Sequence, residues 1–157
     1  MKIEFWAIGK TKFGYLDEGI STYVKRLQKY HPISWEVIPD VRNGASLPSP
    51  LLQEREGQLV LKKLNPDDYL ILLDEHGRQF TSLSFAQYLE GLLHLPARRL
   101  IFVVGGAWGF SDELLRRANA LLSMSGLTFS HQMVRLIFLE QLYRAFTILR
   151  GEPYHNE

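Results

Sequence analysis

The sequence predicts an α/β domain with a mainly parallel sheet flanked by helices, and three observations carry the prediction. Strand-like and helix-like patterns alternate from one end of the chain to the other, the order that builds β-α-β units. Two of the strand-like runs, 69–74 and 100–104, are apolar on both faces, as strands covered on both sides of a parallel sheet are. A chain of 157 residues also has the size of one domain, large enough to bury about two thirds of its unfolded surface.

The elements follow in order. A first strand spans 2–8 and stops at Gly9; a helix is expected over about 15–30, and a second strand over 33–38 between Pro32 and Asp40. Residues 42–48 read as an exposed loop. Ser49 and Pro50 then offer an N-cap and a first-turn proline to a helix over about 50–64. After the strand at 69–74 come a helix at 82–94, the strand at 100–104 and a short helix at 111–119. Ser111 caps that short helix, and Asp112 and Glu113 suit the positive end of its dipole. The stretch from Leu122 to Gln132 reads as a strand interrupted by Ser and Gly that runs into a last helix at 133–149. No repeat, low-complexity segment or boundary divides the chain, so 1–157 is expected to be a single domain.

The last helix stands apart. At about 100° per residue, Glu140, Arg144 and Thr147 share one stripe, while Val134, Phe138, Leu142, Ala145 and Leu149 lie opposite, with Leu139, Tyr143 and Phe146 widening that arc. So wide an apolar sector exceeds what one sheet face covers. It fits either a subunit interface or a helix central to a small core.

Composition excludes whole classes. Without Cys there is no disulfide scaffold, thiolate zinc site or cysteine nucleophile. No apolar run approaches the ~18 residues of a membrane span, and the N-terminal apolar stretch is too short for a signal peptide, so a cytoplasmic protein is expected. With 18 Lys+Arg against 17 Asp+Glu, the formal net charge of +1 argues against coating nucleic acid by bulk charge and leaves room for a local basic patch.

Ligands of open parallel sheets sit beyond the carboxyl ends of the strands, which points to the loops after residues 74 and 104. The second reads Gly105-Gly106-Ala107-Trp108-Gly109-Phe110-Ser111, a turn whose glycines let backbone approach a ligand closely; a tight structural turn would look similar. Its spacing matches neither a dinucleotide fingerprint nor a P-loop. Further on, His131 precedes the last helix, as a local cap or a loop residue. Arg135 falls inside the apolar arc, where a cation either emerges at the helix end or meets an anion. The tail gathers Tyr154 and His155 within its last residues.

Taken in order, the chain resembles the SPOUT-class large-subunit ribosomal RNA methyltransferase H family. The resemblance rests on Ala7-Ile8-Gly9-Lys10-Thr11-Lys12, Tyr23-Val24-Lys25-Arg26-Leu27, Glu56-Gly57, Leu73-Asp74, Gly105-Gly106-Ala107-Trp108-Gly109, the run from Leu127 to Arg135, Glu140-Gln141-Leu142-Tyr143-Arg144-Ala145 and the terminal Tyr154-His155. It implies an S-adenosylmethionine-dependent enzyme that methylates N3 of a pseudouridine in 23S rRNA, releases S-adenosylhomocysteine, needs no metal and acts on the assembled 70S ribosome. It also implies a C-terminal trefoil knot and a homodimer, with the last helix at the interface and the tail reaching the partner's cofactor. The cofactor residues it implies are Leu73, Gly105, Met124, Ser125, Gly126, Leu127, Thr128 and Phe129. The chain departs from the family at Asn156, where Lys or Arg commonly follows Tyr-His.

Within that resemblance, His155 is expected to act as general base, since an imidazole titrates near neutrality, with Tyr154 positioning or stacking on the target base. Arg144 is expected to stabilise the developing imide charge or hold a phosphate; a simple i,i+4 pair with Glu140 is the alternative. Lys10, Lys12, Lys25, Arg26 and Lys29, with Tyr23 and Tyr30 nearby, form a candidate RNA-tracking surface, and Arg135 is counted with its RNA-binding cations. Two rival functions are a noncatalytic rRNA-binding assembly factor and a nucleotide-binding enzyme of small molecules.

Overall fold

A computed structural model describes residues 1–156; Glu157, the end of the expected domain, lies outside the described residues. The order is β1 (Lys2–Ile8), α1 (Gly14–Leu27), β2 (Ile33–Ile38), a 3₁₀ turn (Gly44–Ser46), α2 (Ser49–Lys63), β3 (Tyr69–Arg78), α3 (Ser82–Leu93), β4 (Arg99–Val104), α4 (Asp112–Arg117), β5 (Ala120–Leu122) and α5 (Met133–Leu149). The five strands form one sheet in the order β2-β1-β4-β3-β5. Every neighbouring pair is parallel, as the apolar runs predicted.

Strand alternation divides the core in two. Ile3, Phe5 and Ala7 of β1 join Leu100, Phe102 and Val104 of β4 on the face covered by α1, α3 and α5. Trp6 and Ile8 join Ile101 and Val103 on the face covered by α2 and α4. On the first face, Phe138 of α5 packs on Phe102 at a centroid distance of 4.8 Å and on Phe5 at 5.4 Å, while Trp35 stacks on Phe5 at 4.5 Å. Because α5 lies between α1 and α3 as well as on the sheet, its wide apolar arc has three surfaces to meet within one chain. Thr147, expected on its polar stripe, is fully buried. The tail turns back at Gly151, and Glu152 N–H donates to the Thr147 carbonyl at 2.9 Å.

Several boundaries differ from the sequence reading for local reasons. Helix α1 ends at Leu27, and turn bonds carry the chain through residues 28–31. Ser49 is already helical, with Pro48 at the N-cap and no side-chain cap, whereas Ser111 caps α4 as expected, accepting from Leu114 N–H at 3.2 Å. That helix stops at Arg117 because Asn119 exchanges hydrogen bonds with Leu70, its backbone N–H donating to the Leu70 carbonyl and its side chain accepting from Leu70 N–H, both at 2.8 Å. The chain is thereby drawn into β5. Only Ala120–Leu122 pair as strand; residues 123–132 are loop and turn, not a continued strand.

Strand β3 continues past its expected end to Arg78, with a register irregularity after Leu73. Gly77 makes this possible. A Cβ there would meet the backbone of Leu121 and Leu122 at 2.5–2.6 Å, and no side-chain movement relieves a clash with main chain. Gly77→Ala is expected to cost about 1–3 kcal/mol, read as a lower urea midpoint at unchanged m-value. An unchanged midpoint would show that β5 shifts freely.

Candidate cofactor cleft and tail cluster

The carboxyl ends of β4 and β5 lie on either side of the middle of β3, with Leu73 paired to Val104 on one flank and to Leu122 on the other. Beyond them opens a cleft of about 580 Å³, within the roughly 300–1,000 Å³ of small-molecule sites. Leu73, Gly105, Met124, Ser125, Leu127, Thr128 and Phe129 line it; Gly126 belongs to the same loop but is not among the lining residues. Trp108 and Leu127 stand at the cleft with 60% and 76% of their surface exposed.

One wall is the glycine-rich loop, and α2 holds it from behind. Gln53 Nε2 donates to the Trp108 carbonyl, and Gly57 lies close against the capping hydroxyl of Ser111. Gly105 is packed on the Phe110 ring and Gly106 on the Glu56 carboxyl, each so closely that a Cβ would come within 2.9 Å. The other wall is the 123–132 loop. Ser123 Oγ donates to the Ser125 carbonyl at 3.2 Å, and Ser125 Oγ accepts from Leu127 N–H at 3.0 Å. Ser130 Oγ accepts from Met133 N–H at 3.1 Å and thus serves the start of α5, a role open to His131 on sequence alone.

Arg135 corrects an expectation. Counted among RNA-facing cations, it is wholly buried; its direct partners are mainly carbonyls, with the Asp40 carboxylate near enough to favour its charge. Its guanidinium donates to the carbonyls of Ile8 and Gly9, both at 2.8 Å, to Thr11 Oγ1 at 3.1 Å and to the His131 carbonyl at 3.2 Å. Beside it, Gln132 accepts from Lys12 N–H at 2.8 Å and donates to the Lys10 carbonyl at 3.3 Å. The end of β1 is in this way fastened to the start of α5.

His131 lines the cleft half-buried. Burial, then the charges of Arg135 and Lys12, push its imidazole below the usual range, so it is neutral at pH 7. Asp74, Glu75 and His76 also line the cleft; the strand-end rule expected a loop after residue 74 and gave them no role, and here they continue β3. Asp74 Oδ1 accepts from His76 N–H at 2.8 Å and lies 3.0 Å from His76 Nδ1.

The tail candidates assemble elsewhere. Arg144 donates to Glu140 Oε1 at 2.6 Å and to His155 Nδ1 at 3.0 Å, and its guanidinium lies 4.9 Å from the centre of the Tyr154 ring. Tyr154 donates to Glu140 Oε1 at 2.9 Å, sits 3.3 Å from the Tyr23 hydroxyl and packs edge-on against Tyr143 at 4.8 Å. Burial, then its bonds to Tyr23 and Glu140, raise the Tyr154 phenol well above its usual range, so it stays protonated. The i,i+4 pair with Glu140 and the contacts to the tail are therefore both present. Arg144, Tyr154 and His155 are not among the residues that line the cleft of the same chain.

The basic residues also separate. Lys10 and Lys12 are exposed at the cleft end of β1, whereas Lys25, Arg26 and Lys29 are exposed at the far end of α1, about 20 Å away at 1.5 Å per helical residue. Arg26 lies over the rings of Tyr23 and Tyr143, at 5.1 and 5.6 Å, and so belongs to the tail's surroundings. Among the described residues no group of three or more His, Asp or Glu is placed to hold a metal ion, and no helix is long and apolar enough to cross a membrane.

The family described as predicted SPOUT methyltransferase matches residues 1–155. The chain belongs to the SPOUT methyltransferase family. Its relatives include proteins named ribosomal RNA large subunit methyltransferase H. That of Parabacteroides distasonis is 53% identical over 157 residues, covering all of both chains. That of Cytophaga hutchinsonii is 49% identical over 156 residues, covering 99% of this chain and all of the relative. A crystal structure of a probable methyltransferase from Bordetella pertussis shares the fold, with a TM-score of 0.53 at 9% identity over 92% of this chain and 94% of that one. The cleft and the tail cluster are thus parts of a methyltransferase.

Proposed function

We propose that this methyltransferase transfers a methyl group from S-adenosylmethionine to N3 of a pseudouridine in 23S rRNA of the large subunit, on the assembled 70S ribosome, and works in the cytoplasm as a homodimer with a C-terminal trefoil knot. One observation carries the proposal beyond the family: the cleft and the Arg144–Tyr154–His155 cluster are well formed but do not share a pocket in one chain. A second copy that brings its tail to the cleft completes the site. The relatives named as large-subunit rRNA methyltransferases support the substrate.

The cleft suits the cofactor. Its glycine wall is packed so closely on Phe110 and Glu56 that a side chain at Gly105 or Gly106 would displace the loop, and Leu73, Phe129 and Val134 supply apolar surface for a nucleoside. When bound, the cofactor supplies a methyl group on a sulfonium that leaves as a neutral thioether, so no metal is needed. The chain's part is alignment and removal of the N3 proton. His155 accepts that proton. Because Arg144 donates to its Nδ1, the neutral ring carries its hydrogen on Nε2, and the lone pair that receives a proton is the one Arg144 holds. Arg144 must therefore let go of Nδ1 as the imidazole is protonated, which frees its N–H groups for the imide oxygens or a phosphate. Tyr154, fixed by Glu140, Tyr23 and Tyr143, offers a rigid ring for the target base.

Transfer of labelled methyl from S-adenosylmethionine to purified ribosomes that lack the modification tests the reading. The expected product is one labelled pseudouridine in 23S rRNA. Binding to ribosomes without cofactor binding or transfer would make the chain an assembly factor; label on a small molecule in their absence would move it to another substrate class.

A further inference from the structure

Glu56 on α2 is only 7% exposed, and its Oε1 is enclosed without a hydrogen-bond partner. A buried polar atom left unpaired in a folded protein calls for an explanation. Burial pushes this carboxyl up to about 7, and the nearby Asp40 carboxylate adds to the rise. Its other neighbours named here, Gln53 and Gly57 on α2, Gly106 of the glycine-rich loop and Ser111 at the cap of α4, are neutral. Asp40, in the segment after β2, is the charged group that acts on it among the described residues.

The position is specific. A Cβ on Gly106 would meet Glu56 Oε2 at 2.9 Å and Oε1 at 3.1 Å, so the carboxyl presses directly on the loop backbone. One turn back, Gln53 grips the Trp108 carbonyl, and Gly57 admits Ser111. Helix α2 thus holds the loop at two points and leaves Glu56 facing the stretch between Gly105 and Ala107. Glycine tolerates rotation of its flanking peptide groups, so the loop beside the unpartnered Oε1 is able to present a backbone N–H to it.

Resting on the reading of the cleft as a cofactor site, we propose that Glu56 is a positioning residue for the glycine-rich loop: with cofactor bound, its carboxylate accepts a loop N–H and fixes the loop against the ligand. Without ligand its carboxyl, pushed up to about 7, holds a proton well above the usual carboxylate range. A donated N–H favours the carboxylate, so binding expels a proton from it, and affinity must rise with pH by linkage.

Calorimetry with S-adenosylhomocysteine on the full chain, wild type against Glu56→Gln, tests this. Comparing two proteins at each pH cancels the ligand's own titration. Equal affinities are expected at pH 6 and about tenfold tighter binding by wild type at pH 8, the size of one unit of pKa. At pH 7, in two buffers of different ionisation enthalpy, wild type is expected to release a fraction of a proton that the variant does not. A ratio flat with pH, or identical proton release, overturns the proposal; absence of binding to wild type overturns the reading of the cleft instead. If Glu56→Gln does not fold, Glu56→Asp carries the same decision, because a carboxyl withdrawn by one methylene should lose the pH-dependent gain. The unliganded protein supplies a check of sign. The folded chain keeps a proton that the unfolded chain gives up, so stability falls as pH rises from about 4.5 through 7, and Glu56→Gln removes that slope.

Discussion

His155→Ala is expected to lower methyl transfer to ribosomes by about 10²–10⁴-fold at neutral pH, the usual contribution of a positioned base, while cofactor affinity stays at the wild-type level. The separation of the two readouts follows from the roles assigned: His155 takes the N3 proton, whereas the cofactor rests on the lining of the cleft, from Leu73, Gly105 and the loop through Phe129. Single-turnover transfer of labelled methyl, with calorimetry alongside, measures both. Arg144→Ala should also slow transfer, and it removes the hydrogen bond that the guanidinium donates to His155 Nδ1. Its pH–rate profile is therefore expected to differ from wild type in position as well as height, whereas a purely structural Arg144 would change height alone. Full turnover by His155→Ala would assign the base to another group.

Arg135→Met is expected to destabilise the protein by roughly 2–6 kcal/mol. The figure comes from two stranded carbonyls, Ile8 and Gly9, at ~1–3 kcal/mol each for a buried acceptor left unpaired. Arg135→Lys should recover only part of it. A single ammonium cannot replace the planar fork that meets Ile8, Gly9, Thr11 and His131 together. Urea denaturation measures the loss, and a change below about 1 kcal/mol would show that water replaces the guanidinium at little cost. Because the same residues fasten the loop that carries His131 into the cleft, cofactor affinity should fall with stability.

These residues show where sequence reasoning reached and where it stopped. The parallel sheet was legible because runs such as 69–74 are apolar on both faces, and the cleft followed from the strand-end rule, which pointed to the segments after residues 74 and 104, although the first of them continues β3 to Arg78. The angular position of Arg135 was legible too, but three of its four partners are backbone carbonyls, which carry no side-chain signature. The stripe shared by Thr147 with Glu140 and Arg144 was legible, but not its burial: the hydroxyl donates to the Arg144 carbonyl, and the tail folds back on the Thr147 carbonyl. Glu56 gave no warning, since a glutamate in a polar helix looks solvated until tertiary packing closes over it. The basic residues looked like one surface in the chain, and the length of α1 divides them. The tail was legible in composition and through the family, whereas its anchoring to Tyr23 and Glu140 arises only once α1 and α5 are packed together.

The place of β1 in the sheet bears on how the chain is made. β1 pairs with β2, which follows it closely, and with β4, whose Arg99 lies opposite Lys2. At a synthesis rate of roughly 5–20 residues per second, about 5–20 s pass between the appearance of β1 and that of this second partner. Phe5 waits longer still for Phe138 on the last helix. Throughout that interval the apolar faces of the first strand are open to chaperones and to neighbouring nascent chains, so the yield of folded protein should depend on how fast the second half of the message is translated.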